Sequence, residues 1–145
     1  MPRSRGVYGG GTFIADTSAW MRSGQVRSSW ETALERGQLA TCPIVNLEVL
    51  YTAQNGTAYD RLAANLAQLR DVPITRSVTN AALRAQRELA QLRPLFHRSV
   101  KLSDLLIAAA AQDAAIGVLH YDEDYDTLAG VLHFESRWIA PRGSL

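Results

Sequence analysis

The sequence predicts an α/β fold of three layers: a parallel sheet of about five strands with helices on both faces. Three observations carry that prediction. Short apolar runs alternate with longer helical ones along the chain, the pattern of strands joined by crossovers. The connections between strands are of helical length, which makes the pairing parallel. The chain has 145 residues, and no repeat or linker divides it, so one domain with one core is expected. That domain spans residues 12–140. Residues 1–11, with Arg3, Arg5 and the glycines Gly9, Gly10 and Gly11, are expected to form a flexible leader, and residues 141–145 a tail.

Taken in order, Thr12 to Ala15 reads as a buried first strand, followed at once by the helix-starting Asp16-Thr17-Ser18. A helix runs from Thr17 towards Gly24, and an amphipathic one from Ser29 to Arg36 stops at Gly37. Leu39 to Cys42 is the second strand, and Pro43 suits the first position of a helix reaching Gln54. After Asn55-Gly56 a further helix spans Thr57 to Arg70, and Val72 to Thr75 is the third strand candidate. Arg76 to Leu92 is strongly helical and ends before Pro94. A basic loop, His97 to Lys101, leads into a helix from Ser103 to Ile116 that closes at Gly117. Val118 to His120 is the fourth strand, Asp122 to Asp126 an acidic turn, and Trp138 to Ala140 the fifth strand.

Composition narrows the function classes. The net charge is +1, which gives no sign of a dedicated nucleic-acid binder, although fourteen of the fifteen basic residues are arginines, suited to forked contacts with phosphate or carboxylate. Cys42 is the only cysteine, so an internal disulfide and a cysteine-based zinc site are excluded. A reducing, cytoplasmic setting is expected. No apolar run reaches membrane-spanning length, and the start lacks a signal-peptide stretch, so no membrane role is expected.

The informative residues are acids in apolar surroundings. Asp16 ends the apolar strand Phe13-Ile14-Ala15; it either caps the next helix or serves a ligand site at the strand's carboxyl end. Glu48 shares a helical stripe with Ile44 and Tyr51 and has apolar neighbours, a costly position for a carboxylate without an arginine partner or a cation. Asp104 opens an all-apolar helix, as a first-turn acid favourable to the dipole or as a ligand. Asp122, Asp124 and Asp126 follow the fourth strand, either as a solvated turn or as part of a site. If the first and fourth strands are neighbours, Asp16 and Asp122 emerge side by side. Carboxylates so close repel unless a divalent cation compensates them. All-oxygen donors favour magnesium, with manganese as a substitute, over zinc; His97, His120 and His133 are scattered and not expected to be ligands.

Four stretches together resemble the PIN-domain ribonucleases, and most of all the VapC toxins of toxin–antitoxin pairs. They are Ile14-Ala15-Asp16-Thr17-Ser18-Ala19, Asn46-Leu47-Glu48-Val49, the run from His97 to Ala110, and Leu119-His120-Tyr121-Asp122-Glu123-Asp124-Tyr125-Asp126. The resemblance covers Thr12 to Ala140 and implies a PIN-like three-layer fold. It maps Asp16, Glu48, Asp104 and Asp122 onto the family's acidic quartet, Asp124 onto the further acid two positions later, and Ser18 onto a supporting hydroxyl beside the first acid. It implies a magnesium-dependent endoribonuclease that hydrolyses RNA phosphodiester bonds with metal-activated water, leaving a 5′-phosphate and a 3′-hydroxyl. Asp16, Asp104 and Asp122, with Asp124 assisting, would hold the ion. It further implies a VapB-like antitoxin partner and a homodimer. The leader before the first strand departs from the family's pattern.

Arg98 and Lys101, on the loop before Asp104, are the candidate RNA phosphate contacts, the alternative being a solvated basic loop. Trp20, Met21, Trp30 and the Tyr51–Tyr59 region are candidates for a partner surface or for the core. Two other functions compete: a non-catalytic module that keeps this fold, and a different magnesium-dependent phosphoryl-transfer enzyme. A dehalogenase-type phosphatase needs a second acid two positions after Asp16, where Ser18 stands, and a receiver domain needs an acid pair where Asp16 is alone.

Overall fold

A computed structural model describes residues 8–145. Five strands run parallel in the order β3-β2-β1-β4-β5: β1 (Phe13–Ala15), β2 (Leu39–Thr41), β3 (Arg70–Asp71), β4 (Gly117–His120) and β5 (Ser136–Trp138). Between them lie α1 (Thr17–Arg22), α2 (Arg27–Glu35), α3 (Pro43–Tyr51), α4 (Gly56–Ala67), α5 (Arg76–Leu92), α6 (Leu102–Asp113) and α7 (Asp124–Leu128), with 3-10 turns at Ser23–Val26 and Phe96–Ser99.

Strand side chains alternate between two cores. Ile14, Ala40 and Val118 join a cluster with the buried faces of α3 to α7. Phe13, Ala15, Leu39 and Leu119 join a second cluster with Ala19, Trp30 and Ala33 of α1 and α2. This two-sided burial makes the sheet the middle of three layers, as the apolar strand runs predict. α6 is apolar around its circumference, and its residues from Ile107 to Ala111 are all fully buried. α5 is amphipathic, burying Val78, Ala81, Ala82, Ala85 and Leu89.

Several boundaries differ from expectation, each for a local reason. The third strand is Arg70–Asp71 rather than Val72–Thr75: Val72 still donates to Thr41 O at 2.7 Å, but Pro73 has no N–H to continue the ladder. Helix α6 ends at Asp113, and the chain reverses through Ala115 at φ +56° rather than at Gly117. Gly117 serves packing instead: a Cβ there would stand 2.7 Å from both Glu135 O and the Phe13 ring. Asp122 to Asp126 is not simply a turn, since Asp124 begins the short helix α7. The fifth strand lies two residues earlier than expected.

Of the expected leader, residues 1–7 lie outside the described residues. Tyr8 is 4% exposed within the second core, its hydroxyl donates to Ile139 O at 3.3 Å, and Gln38 Nε2 donates to Gly9 O and Gly11 O. Packing therefore begins before Thr12. Trp20 and Trp30 pack edge to face at 5.0 Å, whereas Met21, Tyr51 and Tyr59 are exposed. Among the described residues no helix is long and apolar enough to cross a membrane.

Candidate active site

Strand order decides where the acids meet. The chain adds β2 and β3 on one side of β1 and then β4 and β5 on the other, so the order reverses between β1 and β4. Their carboxyl ends flank the crevice that open α/β sheets use for ligands. Asp16 follows β1 directly, and Asp122 lies two residues after β4.

Asp16 is buried and firmly positioned. Its N–H donates to Leu119 O at 2.9 Å, across to β4. Its Oδ2 caps α1 by accepting from Ser18 N at 3.0 Å, and accepts again from Ser18 Oγ at 2.5 Å. Ser18 Oγ in turn accepts from the Tyr121 N–H at 2.9 Å, which ties the two strand ends together. Asp16 thus caps α1 from the carboxyl end of β1. Glu48 stands half-buried on α3 and accepts from Thr17 Oγ1 at 3.2 Å. Lost solvation and the charge of Asp16 push its carboxyl above the usual range.

Asp104 is delivered by the first turn of α6 and is 3% exposed. Asp104, Asp122 and Asp124 each offer a carboxylate oxygen within 4.8 Å of the others. Lys101 sits among them, its Nζ 2.8 Å from Asp122 Oδ2, 3.0 Å from Asp124 Oδ2 and 3.3 Å from Asp104 Oδ2. Its backbone N–H also donates to Asp124 Oδ2 at 3.0 Å. Partial burial opposes the ammonium, but hydrogen bonds to Asp122 and Asp124 and the charges of Asp104 and Asp122 outweigh it and raise its pKa. The same contacts, with one from Asp104, hold the Asp124 carboxyl below its usual range against the effect of burial. Asp104 goes the other way, pushed up to about 8, chiefly by burial, then by its hydrogen bond to Asp124 and the charge of Asp16.

Tyr125, absent from the residues the sequence singles out as functional, links the two halves of the site. It is fully buried, and its hydroxyl lies 2.7 Å from Asp16 Oδ1 and 3.1 Å from Asp104 Oδ1. One phenolic proton is shared between the two acceptors. Burial and both acids keep that phenol neutral by raising its pKa far above the usual value. The signal for it is the spacing Tyr125, Leu128, Leu132, apolar positions at i, i+3 and i+7 that are all buried, although α7 itself ends at Leu128. His120 is fully buried beneath, its ring 4.8 Å from that of Tyr125. Burial lowers its pKa to about 4. In the neutral ring Nδ1 accepts the Asp122 N–H at 3.1 Å, and Nε2 meets Ser136 Oγ at 2.7 Å. His120 therefore braces the Asp122 backbone, with both ring nitrogens engaged in hydrogen bonds.

Among the predicted site residues, Asp104, Asp122, Asp124 and Lys101 come into direct contact, and Asp16 joins Asp104 through Tyr125. The close oxygen set contains Asp124 and not Asp16. Asp126 turns away, accepting from Ser136 Oγ at 2.7 Å and Trp138 Nε1 at 2.9 Å. Arg98 is exposed on the 3-10 turn before α6. The donor set suits a hard divalent cation: all oxygen, anionic, with Asp104 Oδ2 buried and met only by the Lys101 ammonium at 3.3 Å outside hydrogen-bond geometry.

Comparison with known proteins agrees with this geometry. The PIN domain family matches residues 13–131. The chain is 44% identical over 135 residues to Ribonuclease VapC18 of Mycobacterium tuberculosis, covering 92% of this chain and 98% of that one. It is 38% identical over 135 residues to Ribonuclease VapC51 of the same organism, covering 92% of this chain and 96% of that one. The fold is shared with a solved member of the VapBC family of toxin–antitoxin systems, VapBC-5 of M. tuberculosis, at a TM-score of 0.64 and 23% identity, covering 89% of this chain and 99% of that one. The chain belongs to the PIN domain family, among the VapC ribonucleases.

Proposed function

We propose that this chain is the endoribonuclease toxin of a VapBC-type pair, cleaving RNA phosphodiester bonds with magnesium, for which manganese substitutes. The observation that carries the reading is the convergence of Asp104, Asp122 and Asp124 within 4.8 Å beside Asp16, at the crevice between β1 and β4. Asp104, Asp122 and Asp124 would hold the ion, with Asp16 and Glu48 joining it through water. Bound there, the ion supplies positive charge against phosphodiester oxygens and lowers the pKa of water at the site.

The remaining work falls to the chain's own groups. Ser18 and Tyr125 fix the Asp16 carboxylate from both oxygens, so it meets substrate without reorganising. The Tyr125 contact likewise sets the spacing between Asp16 and Asp104. Glu48, whose carboxyl is raised by lost solvation and the charge of Asp16 and which is not among the ion's direct holders, is the group placed to take a proton from attacking water or to give one to the leaving 3′-oxygen. Arg98 and Lys101 contact substrate phosphates. A VapB-like antitoxin holds the enzyme inactive, and two copies form a homodimer.

The test is incubation of purified protein with total RNA in magnesium, with and without EDTA, followed by sequencing of the cut ends. Metal-dependent fragments bearing 5′-phosphates are expected. Full cleavage in EDTA, or undiminished cleavage by Asp104→Asn in magnesium, would refute the assignment.

A further inference from the structure

Beside Asp122 the surface opens into a shallow cavity of about 390 Å³ lined by Arg22, Tyr121, Asp122, Glu123, Trp138 and Arg142, together with Gly143 and Leu145. Its size falls within the roughly 300–1,000 Å³ of small-ligand sites. Two arginines reach it from opposite ends of the sequence. Arg22, in the last turn of α1, places its guanidinium 4.5 Å from the centre of the Tyr121 ring and donates to Ser18 O at 3.2 Å. A guanidinium has five N–H donors, so most of its capacity is left for a ligand. Arg142 lies 5.8 Å from the centre of the Trp138 ring and pairs with exposed Glu123, a solvent-screened contact that a phosphate can replace at little cost. Of the two acids of the lining, Asp122 shares Lys101 with Asp104 and Asp124, and Glu123 pairs with Arg142, while Arg22 makes no ion pair among the described contacts.

The aromatic part is held rigidly. Tyr121 and Trp138 meet edge to face at 5.4 Å. Trp138 is anchored below by His120 at 5.0 Å and by its Nε1–H on Asp126. The Tyr121 hydroxyl accepts the Leu145 N–H at 2.9 Å, closing one side of the cavity. Paired aromatic surfaces rimmed by arginines, next to a cluster of carboxylates that repels phosphate, have the chemistry that recognises an unpaired nucleotide. The half-buried rings offer the base apolar contact between the guanidiniums that already lie over them, and the guanidinium forks take a phosphate oxygen pair.

We infer that this cavity is a subsite for one unpaired ribonucleotide of the RNA substrate, with its base on the Tyr121–Trp138 surface and its phosphate between Arg22 and Arg142, beside the bond to be cut. The inference rests on the ribonuclease reading and adds to it the place where the substrate is gripped. It also accounts for how an acidic site holds a polyanion: the attractive charge lies to one side of the carboxylates.

The experiment uses the full chain and two readouts. In EDTA, where cleavage is not needed, 5′-UMP and 5′-AMP are titrated while tryptophan fluorescence is followed. Saturable quenching is expected in the native protein. It is expected to vanish in Trp138→Phe, which leaves Trp20 and Trp30 as the reporters, and to weaken by at least about tenfold in affinity in Arg22→Ala/Arg142→Ala. In magnesium, the double variant is expected to raise KM for single-stranded RNA by a similar factor with kcat little changed. Equal nucleotide affinity and equal KM in native and double-variant proteins overturn the inference. If the native protein cleaves no RNA at all, the ribonuclease reading itself fails, and the fluorescence titration still decides whether a nucleotide occupies the cavity.

Discussion

At the scale of single residues, two buried groups make the stability of the protein depend on pH in opposite senses. Asp104 has its pKa pushed up to about 8 by burial and its acidic neighbours, whereas an unfolded aspartate titrates near about 3.9. The folded chain keeps a proton that the unfolded chain releases, so this contribution is complete below about pH 4 and is lost as pH rises towards 8. His120, lowered to about 4 from about 6.5, contributes fully above pH 6.5 and loses that contribution as pH falls towards 4. Of the two, only Asp104 still titrates between about pH 6.5 and 8. Thermal melts in EDTA are therefore expected to show native Tm falling over that window. Asp104→Asn, cut off from cleavage, should hold a flat and higher Tm there; a parallel decline in both proteins would remove Asp104 as the cause. Lys101 is the sole ammonium touching Asp104, Asp122 and Asp124 among the described contacts, with a side chain 61% exposed. Lys101→Met should lower stability in EDTA by about 1 kcal/mol, since exposed pairs are worth little singly and the gain here comes from three shared partners. That deficit should shrink when Mn²⁺ is added, as followed by the same melts.

At the scale of elements, two neighbouring positions show opposite uses of a missing side chain. Ala115 lies just past the end of α6 at φ +56°, the left-handed conformation that glycine adopts without strain. Ala115→Gly relieves a strain of about 1–2 kcal/mol and adds back part of that as unfolded-chain entropy. A net gain of about 0.5–1 kcal/mol is expected in urea melts. Gly117 needs no unusual backbone, but Glu135 O and the Phe13 ring fill the space a Cβ would take. Gly117→Ala forces β1, β4 and the approach to β5 apart, with a loss of about 1–3 kcal/mol expected in the same melts. Because β1 and β4 carry Asp16 and Asp122, this variant should also weaken cleavage, whereas Ala115→Gly should not.

At the scale of the whole molecule, the site is a property of topology. Acids from the end of β1, from α3, from α6 and from the β4–α7 segment come together, and the fold places like charges at one crevice without enough cations of its own to offset them. A divalent ion that binds only the folded state then stabilises it by mass action. Differential scanning fluorimetry with Mn²⁺ is expected to show a saturable rise in Tm of several degrees, reversed by EDTA and much reduced in Asp122→Asn/Asp124→Asn. An undiminished rise in that variant would place the ion elsewhere. Cys42 lies fully buried in the larger core with its thiol pushed up to about 11, mainly by burial, so this chemistry involves no reactive cysteine.

Sequence by itself determined the layers and the parallel sheet, and it singled out the acids as candidates. Apolar runs without alternation mark strands covered on both faces, and a carboxylate beside such a run is conspicuous because its burial is costly. Thus Asp16, Glu48 and Asp104 stand out from their neighbours alone. What only the tertiary structure decided was how these groups meet: that Asp124 rather than Asp16 completes the close oxygen set, that Lys101 lies among the carboxylates, and that Tyr125 joins Asp16 to Asp104. The physical reason is that hydrogen bonds and ion pairs act over about 3 Å, here between residues such as Asp16 and Tyr125 that lie 109 positions apart. Local pattern records which side of an element is buried, whereas the partner waiting there is set by strand order and the short helix α7.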